Sequence, residues 1–361
     1  MTEQEIRVTL SKHKEPFLNK NFDKLGFIDK IEISDGKLNI GLKVTNPYDE
    51  NLKTLKNDII KSIRNESGFK GEINLDFQLG ILNHIDKQKD SVLPKVKNTI
   101  AVASGKGGVG KSTIAVNLAG ALSVLGAKVG LIDADIYGPS IPIMLGINQR
   151  PEVIKVDSKH MMLPVIQYGI KLMSIGFLME DNSAVVWRGP MASSALRQFM
   201  SEVVWDELDY LLFDMPPGTG DIQLTLSQTI PLTGAVIVTT PQEISLSDAR
   251  KGHSMFQKVN VPTLGIIENM SYFLNSDNRR EYIFGRGGGE KMSIENNIDL
   301  LGEIPIATPI REFGDIGKPI VFSQPQSDIS KIFKSISLEL IKSINRKNSL
   351  DSEKPKLEII I

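Results

Sequence analysis

Residues 102–113 read VASGKGGVGKST, and this short stretch decides the fold class of the chain. The apolar run TIAVAS enters the loop, and STIAVNLAGALSVLG leaves it with the composition of a helix. The N–H groups at the start of a helix point at bound phosphates, so this context favours a nucleotide site over a glycine-rich turn before a core helix. The phosphate-loop pattern G-x-x-x-x-G-K-[ST] is satisfied by Gly105, Gly110, Lys111 and Ser112.

Each residue type in this loop suits a phosphate ligand. Glycines lack Cβ and let backbone N–H groups approach the phosphate oxygens closely. We expect Lys111 to place its charge on the β and γ phosphates and the Ser112 hydroxyl to ligate Mg²⁺. The loop residues predicted to contact the nucleotide are Gly105, Gly107, Gly108, Val109, Gly110, Lys111, Ser112 and Thr113.

Carboxylates follow two further apolar runs. Asp214 ends YLLFD at the carboxyl edge of a predicted strand, where open α/β sheets bind ligands, and it is the predicted partner of Mg²⁺. Gly218 is expected to present its backbone N–H to the γ phosphate. Asp133 and Asp135 end another run in LIDADIYGPS, and Asp135 is favoured to orient the attacking water because it begins the loop. The alternative is that both aspartates are helix caps or turn formers.

Short apolar runs alternate with helical stretches from Thr99 onward. Runs that are apolar on both faces and separated by helices indicate a parallel sheet covered on both sides. The predicted fold class is therefore α/β, a mostly parallel sheet flanked by helices, preceded by a small α+β domain. The predicted strands are TIAVAS (99–104), AKVGLID (127–133), DYLLFD (209–214), GAVIVTT (234–240) and PTLGIIEN (262–269).

The first part of the chain has a different organisation. Alternating runs around Asp35-Gly36 indicate a hairpin, LKTLKNDIIKSIRN (52–65) has helical spacing, and 71–80 returns to strand-like alternation. The amphipathic run 328–344 is predicted to pack on a core, with a membrane-surface helix as the alternative. The predicted divisions are a small α+β domain (1–82), a polar linker (83–98), a P-loop domain (99–345) and a C-terminal tail (346–361).

Composition argues against several classes of function. The 42 Lys and Arg residues balance 43 Asp and Glu residues, so no nucleic-acid partner is expected. No apolar run reaches the roughly 20 residues that span a bilayer, and the N-terminus lacks a secretory signal. A cytoplasmic protein without a membrane partner is therefore expected. The chain has no cysteine, which excludes disulfides and Cys-ligated metal in this chain, and its four histidines are too dispersed to predict a metal site.

A second lysine in the loop, Lys106, stands where the phosphate-loop pattern does not require one. The phosphate lysine directly precedes the serine, so Lys106 either has another role or is a solvated loop charge. The stretch GKGGVGKST resembles the deviant phosphate loop of the MinD/ParA-type ATPases. That resemblance implies a nucleotide-sandwich homodimer in which Lys106 contacts the partner's ATP and neutralises transition-state charge, as an arginine finger does.

Longer stretches resemble one branch of that group, the Mrp (ApbC-type) ATPases, over about residues 98–345. The resemblance implies that Asn269 contacts adenine, while an asparagine after a strand also closes turns. It further implies that Pro305 and the segment near Arg311 border the base. Arg188 is expected either to contact a partner or to be an ion-paired surface residue. The stretches are DADIYGPSIPIMLG (133–146), WRGPMASSALRQF (187–199), DMPPGTGDIQLTLSQ (214–228), TTPQEISLSDARKG (239–252), IENMSYF (267–273), YIFGRGGGEKM (282–292), LGEIPI (301–306) and REFGDIGKPI (311–320).

The Mrp family is associated with a [4Fe–4S] cluster, held at a dimer interface by a C-x-x-C pair just after the Met-Ser-Tyr stretch. Asp49 stands at about the point where the small N-terminal domain, which resembles iron–sulfur assembly factors, usually has a cysteine. Clusters are held mostly by thiolates, so an iron–sulfur cluster bound in the family's manner is not expected. The residues where the C-x-x-C belongs are Leu274, Asn275, Ser276, Asp277 and Asn278.

These observations predict a Mg²⁺-dependent ATP hydrolase that forms a homodimer. The resemblance implies a role in iron–sulfur cluster assembly or transfer, with apo iron–sulfur clients or assembly proteins as partners. Two alternatives stay open at this point. One is a ParA/MinD-like positioning switch that acts on DNA or membrane, and the other is a scaffold that uses ATP only as a structural ligand.

Overall fold

The computed structural model describes residues 2–34, 36–156, 158–179 and 189–352. The chain forms two compact units. The first comprises the chain up to Leu82 together with the C-terminal stretch from Ile341, and the second runs from Asn83 to Leu340. Among the described residues, no helix combines the length and apolar character that crossing a bilayer requires.

The first unit is a small α+β fold. Strands β1 and β2 pair antiparallel, and β2 pairs parallel with β3 through the helical crossover α2. The apolar faces of the two helices, which include Ile6, Ile59 and Ile63, are buried with residues of β2 in one core. The elements are α1 (Glu3–Ser11), β1 (Ile28–Ser34), β2 (Lys37–Val44), α2 (Leu52–Ser67) and β3 (Glu72–Leu79).

The second unit is built on a large sheet. Its strands are β4 (Val96–Ala103), β5 (Val129–Asp133), β6 (Val153–Val156), β7 (Lys159–Met162), β8 (Val165–Gln167), β9 (Ile170–Ser174), β10 (Leu208–Asp214), β11 (Gly234–Thr239), β12 (Thr263–Glu268), β13 (Phe273–Leu274), β14 (Arg280–Glu281) and β15 (Leu300–Glu303). Its helices are α3 (Lys87–Val92), α4 (Lys111–Val124), α5 (Ile141–Met144), α6 (Gly189–Ser201), α7 (Asp221–Thr229), α8 (Glu243–Lys258), α9 (Gly288–Asn296), α10 (Thr308–Asp315), α11 (Ile320–Ser323) and the start of α12 (Asp328–Asp351), with a 3₁₀ turn at Ile175–Leu178.

The strand order in the large sheet is β15-β12-β11-β4-β10-β5-β9-β8. Every neighbouring pair is parallel except β8 and β9, which pair antiparallel. This confirms the predicted mostly parallel sheet, and all five predicted strands are present. The register pairs Asp214 at the end of β10 with both Val102 and Asp133. The carboxyl ends of β4, β5 and β10 therefore bring the phosphate loop and the aspartates to one edge of the sheet.

The predicted linker differs from the observed structure. Residues 83–98 contain α3 and the first residues of β4 instead of an irregular connection. The side chain of Lys89 is fully buried, and its ammonium group donates to Asn83 Oδ1 (2.8 Å) and to the backbone carbonyls of His84 and Lys97. Burial lowers the pKa of Lys89. The stretch is polar in composition, yet one buried cation orders it through carbonyl groups, and this pattern was not visible in the sequence.

The predicted C-terminal tail also differs, since α12 continues to Asp351. Within the first unit, the fully buried Asn345 of α12 accepts a hydrogen bond from the Leu82 N–H (2.9 Å) and donates to the Gly80 carbonyl (2.8 Å). Its amide also donates to Thr45 Oγ1 (3.2 Å). These contacts give the end of the helix a buried partner. The core-packing prediction for 328–344 is in line with the full burial of Phe333, Leu340 and Ile344.

The glycine-rich loop is seated against α8. A Cβ at Gly105 would lie 2.1 Å from the backbone carbonyl carbon of Asp248 and 2.6 Å from the Ala249 nitrogen. Only a residue without a side chain permits this approach of two backbones. Gly107, two residues on, has no atom within 4 Å of its corresponding Cβ position. Close packing on α8 therefore requires glycine at position 105, whereas packing places no such requirement on position 107.

Changing Gly105→Ala is expected to destabilise the second unit by about 2 kcal/mol or more, because rigid backbone has to move to admit the methyl group. The matched variant Gly107→Ala keeps open space around its methyl and is expected to stay within about 0.5 kcal/mol of the wild type. Thermal unfolding without nucleotide measures both. Equal stability of the two variants would contradict the packing of the loop on α8.

Changing Asn345→Ala is expected to cost the first unit about 3 kcal/mol, because the Gly80 carbonyl and the Leu82 N–H lose their buried partner. Asn74→Ala is the matched control, since that amide donates to Asn39 at an exposed site (3.0 Å) and should change stability by less than about 0.5 kcal/mol. Urea unfolding followed by circular dichroism measures both. Similar midpoints for the two variants would show that the buried contacts add nothing.

Candidate functional site

The phosphate loop connects β4 directly to α4. Gly108 and Gly110 both have φ of +82°, a left-handed conformation that favours glycine. The Ser104 hydroxyl donates to the Lys106 carbonyl (2.8 Å). Helix α4 begins at Lys111, directly after the last loop residue, Gly110. The N–H groups of the first helical turn are consequently placed beside the curved loop, as the strand–loop–helix pattern predicts.

Lys111 and Ser112 converge on one carboxylate. Lys111 Nζ lies 2.6 Å from Asp214 Oδ1, and Ser112 Oγ donates to Asp214 Oδ2 at 2.5 Å. Asp214 is fully buried and Lys111 is only 6% exposed. The helix that follows the loop and the strand that carries the acid are thus tied together by a charged pair with little access to water.

The two aspartates after β5 have different surroundings. Asp135 Oδ2 lies 3.5 Å from Lys111 Nζ, and its side chain keeps 12% of its surface exposed. Asp133 is fully buried, and it accepts hydrogen bonds from Ser174 Oγ (3.0 Å) and from the Ile141 N–H (3.2 Å). Asp135 Oδ1 also accepts a hydrogen bond from the Tyr137 N–H (3.2 Å), so both aspartates hold the loop after β5, as the turn-former alternative predicts. Asp135 in addition faces Lys111, and it stays the predicted water-orienting residue.

The charge balance at this edge of the sheet suits a cation. Burial, and then the neighbouring Asp214 charge, raise the pKa of Asp133 to about 8. Burial also raises the pKa of Asp214, although the Lys111 charge opposes this shift. A raised pKa means that these carboxyls resist ionisation in their buried positions, and a bound cation would stabilise their ionised forms. In the described part of the chain no three acidic or histidine side chains form a closed metal cage. Mg²⁺ commonly takes few protein ligands and completes its shell with water and phosphate, so Ser112 and Asp214 fit it.

Gly218 does not present the unoccupied N–H that the sequence predicts. Its φ is +101°, and its N–H donates to the Ser104 carbonyl at 3.0 Å, beside the phosphate loop. A contact with a γ phosphate requires this hydrogen bond to break first. The sequence pattern located the residue but gave no sign of the competing carbonyl.

A cavity of about 650 Å³ adjoins the loop at Gly110. Asn269, Pro305 and Arg311 all line it, so the structure brings together the residues expected around a base. The Asn269 amide donates to the Val109 carbonyl (2.8 Å), which fastens the end of β12 to the phosphate loop. One carbonyl oxygen and one N–H of that amide are left for a ligand. The remaining walls are mainly apolar, which suits the faces of a planar base.

Lys106 lies on the more accessible side of the loop. Its side chain is partly exposed, in contrast to the nearly buried Lys111. Within the described ranges, no carboxylate is found in ion-pair distance of Lys106, whereas Lys111 contacts both Asp135 and Asp214. The two lysines therefore differ in environment: Lys111 lies within the acidic cluster, and Lys106 lies outside it and is partly exposed.

The hairpin of β13 and β14 carries the residues at which the resemblance to the Mrp ATPases implies a C-x-x-C pair. Asn275 Oδ1 accepts hydrogen bonds from the N–H groups of Asp277 and Arg279 (both 3.0 Å), and its amide donates to Glu281 Oε1 (2.8 Å). In the first unit, Asp49 Oδ1 likewise accepts from the Asn51 N–H (2.9 Å). These side chains hold their own turns and offer no soft ligand for iron. Arg188 lies outside the described residues.

Sequence reasoning missed several residues of the site. Ser174, at the end of β9, donates to Asp133, and the Ser104 carbonyl holds Gly218. Ile283 and Phe284 line the base-sized cavity, although their stretch was noted only for its resemblance. No local pattern distinguishes Ser174, because its role depends on β9 pairing beside β5.

Comparisons with known proteins agree with this geometry. A family model described as "ParA: NUBPL iron-transfer P-loop NTPase" matches residues 95–341. The iron-sulfur cluster carrier protein of Haemophilus influenzae is 46% identical over 338 residues, which cover 93% of this chain and 90% of that protein. The protein of the same name from Escherichia coli strain K12 is 47% identical over 332 residues, covering 91% and 89%.

One similar solved structure contains a bound nucleotide. The nucleotide-binding protein from Archaeoglobus fulgidus, in complex with ADP, is 38% identical and has a TM-score of 0.59. The similarity covers 69% of this chain and 97% of that one. The resemblance inferred from the phosphate loop and the longer stretches is thereby confirmed, and the chain belongs to the NUBPL-type iron-transfer family of P-loop NTPases.

Proposed function

We propose that this chain is a Mg²⁺-dependent ATPase that works as a homodimer and serves iron–sulfur cluster transfer without ligating a cluster itself. The observation that carries the proposal is the separation of the two loop lysines. Lys111 is buried against Asp214 at 2.6 Å, while Lys106 is partly exposed on the same short loop. One chain thus holds a lysine for its own nucleotide and a second one available to another.

The buried acidic cluster suits the nucleotide role. Bound phosphates would draw the Lys111 charge from Asp214, which then faces Mg²⁺ together with the Ser112 hydroxyl. Mg²⁺ supplies neutralisation of charge on the β and γ phosphates when it is bound. Asp135, 3.5 Å from Lys111 and partly accessible, is the residue proposed to orient the attacking water.

The proposal of a homodimer rests on the proposed role of Lys106 at the nucleotide of a second chain. A lysine that neutralises the transition state from outside the site can switch hydrolysis on only when a second chain is docked. Gly218 would then exchange the Ser104 carbonyl for the γ phosphate and lose that contact after hydrolysis. Binding and loss of the γ phosphate thereby become closing and opening of the dimer.

The proposed role in iron–sulfur cluster transfer rests on the family. The way in which a cluster is held must differ in this chain. Relatives carry the name iron-sulfur cluster carrier protein, whereas this chain has no cysteine. We propose that any cluster handled by this ATPase is held by thiolates of a partner protein, with the nucleotide cycle controlling that partner's release.

Changing Lys111→Ala is expected to weaken MgATP binding about tenfold to a hundredfold, because charged hydrogen bonds to phosphate are lost. Changing Lys106→Ala is expected to leave binding within about twofold and to lower kcat about a thousandfold, as loss of an arginine finger does. Calorimetry and phosphate release measure the two effects.

The matched control for both lysines is Lys128→Ala. Lys128 is an exposed lysine at the opposite end of β5, where it pairs with Glu207 (2.8 Å). It is expected to keep both binding and turnover. Unimpaired hydrolysis in both loop variants would refute the proposed division of labour between the two lysines.

Anaerobic iron–sulfur reconstitution of the isolated chain is expected to leave no stably bound iron after desalting, since no thiolate is available. Asn275→Cys combined with Asn278→Cys is the informative comparison. These positions flank the hairpin turn, where the Asn278 N–H donates to the Asn275 carbonyl (3.0 Å). Iron analysis and visible absorbance are the measurements, and a stable cluster on the wild-type chain would contradict the ligand argument.

A further inference from the structure

A carboxylate at the end of β12 has no place in the nucleotide chemistry described above. Glu268 is 1% exposed and directly precedes Asn269. Its Oε1 accepts a hydrogen bond from the Ser271 hydroxyl at 2.6 Å, and its Oε2 accepts one from the Gly289 N–H. No ion pair in the described part of the chain includes Glu268. Burying a carboxylate among neutral donors costs free energy of folding. We therefore ask what the two hydrogen bonds of Glu268 hold in place.

The first contact holds the turn that carries Asn269. The chain leaves β12 through Met270, which has a left-handed φ of +55°, and the Ser271 hydroxyl then returns to Glu268. The Asn269 N–H donates to the Thr239 carbonyl at the end of β11 (2.8 Å). With its amide also bonded to the Val109 carbonyl, Asn269 is held at both its backbone and its side chain where it lines the base-sized cavity.

The second contact joins Glu268 to the helix that follows another part of the cavity lining. Gly289 lies in the first turn of α9, a short way after Ile283 and Phe284, which line the cavity. A Cβ on Gly289 would lie 3.1 Å from Glu268 Cβ and Oε2, so a side chain at this position would crowd the carboxylate. A negative charge at the start of a helix is also favourable. The last glycine of the stretch FGRGGG, Gly289, thereby has a physical role, because its N–H binds the Glu268 carboxylate.

We infer that Glu268 is a positioning residue, whose buried carboxylate joins the Asn269 turn to the start of α9 and so holds both walls of the nucleotide-base pocket at a fixed separation. The inference rests on the proposed ATP site and adds a residue that contacts neither base nor phosphate. Glu268 acts through Asn269 and through the Ile283–Phe284 segment.

Steady-state ATP hydrolysis by the full chain tests the role. Glu268→Gln is expected to raise KM for ATP about tenfold and to change kcat less than about twofold, because the base loses uniform binding while the phosphate site is untouched. Asn269→Ala should have a similar effect. In the double variant KM should rise no further than in Asn269→Ala, since Glu268 works through that side chain.

Two further variants keep the test decisive. Ser271→Ala removes one contact of the carboxylate without changing its charge, and it should raise KM about threefold even if Glu268→Gln folds poorly. Glu290→Gln is the matched control, because it removes an exposed carboxylate from the same first turn of α9. It should leave KM and kcat as in the wild type.

The outcomes separate this inference from the proposed function. A wild-type chain that neither binds nor hydrolyses ATP refutes the proposed function, and this inference with it. A wild-type enzyme with an unchanged KM in Glu268→Gln and Ser271→Ala refutes the positioning role alone. The same holds if kcat falls with an unchanged KM, or if the effects of Glu268→Gln and Asn269→Ala on KM multiply in the double variant.

Discussion

The buried contact between Lys111 and Asp214 is the interaction on which the rest of the site depends. It joins the first turn of α4 to the end of β10 at 2.6 Å, with Ser112 on the second carboxylate oxygen. Because β10 pairs with both β4 and β5, this contact also sets the distance from the phosphate loop to Asp133 and Asp135. A buried charged pair holds these strands' ends ready for phosphate and cation, whose charges replace those that the pair now supplies.

In the base pocket, too, buried polar contacts hold neighbouring elements together. Asn269 fastens the end of β12 to the loop carbonyl of Val109, and Glu268 fastens that turn to α9. The Val109 carbonyl, which accepts a hydrogen bond from the Asn269 amide, therefore links the phosphate end of the site to the base end. By contrast, the side-chain oxygen of Asn275 accepts two backbone hydrogen bonds within the β13–β14 hairpin, which supports the proposal that this chain ligates no cluster there.

The loop, its strand and its helix were predictable from residues 102–113, because glycine spacing and apolar runs are local signals. The pairing of Asp214 with Lys111 was predictable only as a shared edge, since a parallel register determines it. Three features were out of reach for a physical reason: the Ser104 carbonyl that holds Gly218, the Ser174 contact to Asp133 and the burial of Lys89 all depend on residues distant in sequence or on backbone groups. The extension of α12 to Asp351 likewise involves contacts between Asn345 and backbone groups near Gly80, and the spacing of α12 residues gives no sign of these distant partners.

In the proposed mechanism, hydrolysis requires a lysine from a second chain. Sedimentation of the ATP-loaded protein, with phosphate release followed in the same samples over a range of chain concentrations, tests it most directly. We expect a species with the mass of two chains and a rate of phosphate release per chain that rises with concentration until the dimer is fully formed. A particle with the mass of one chain that turns over at the same rate per chain at every concentration would contradict it.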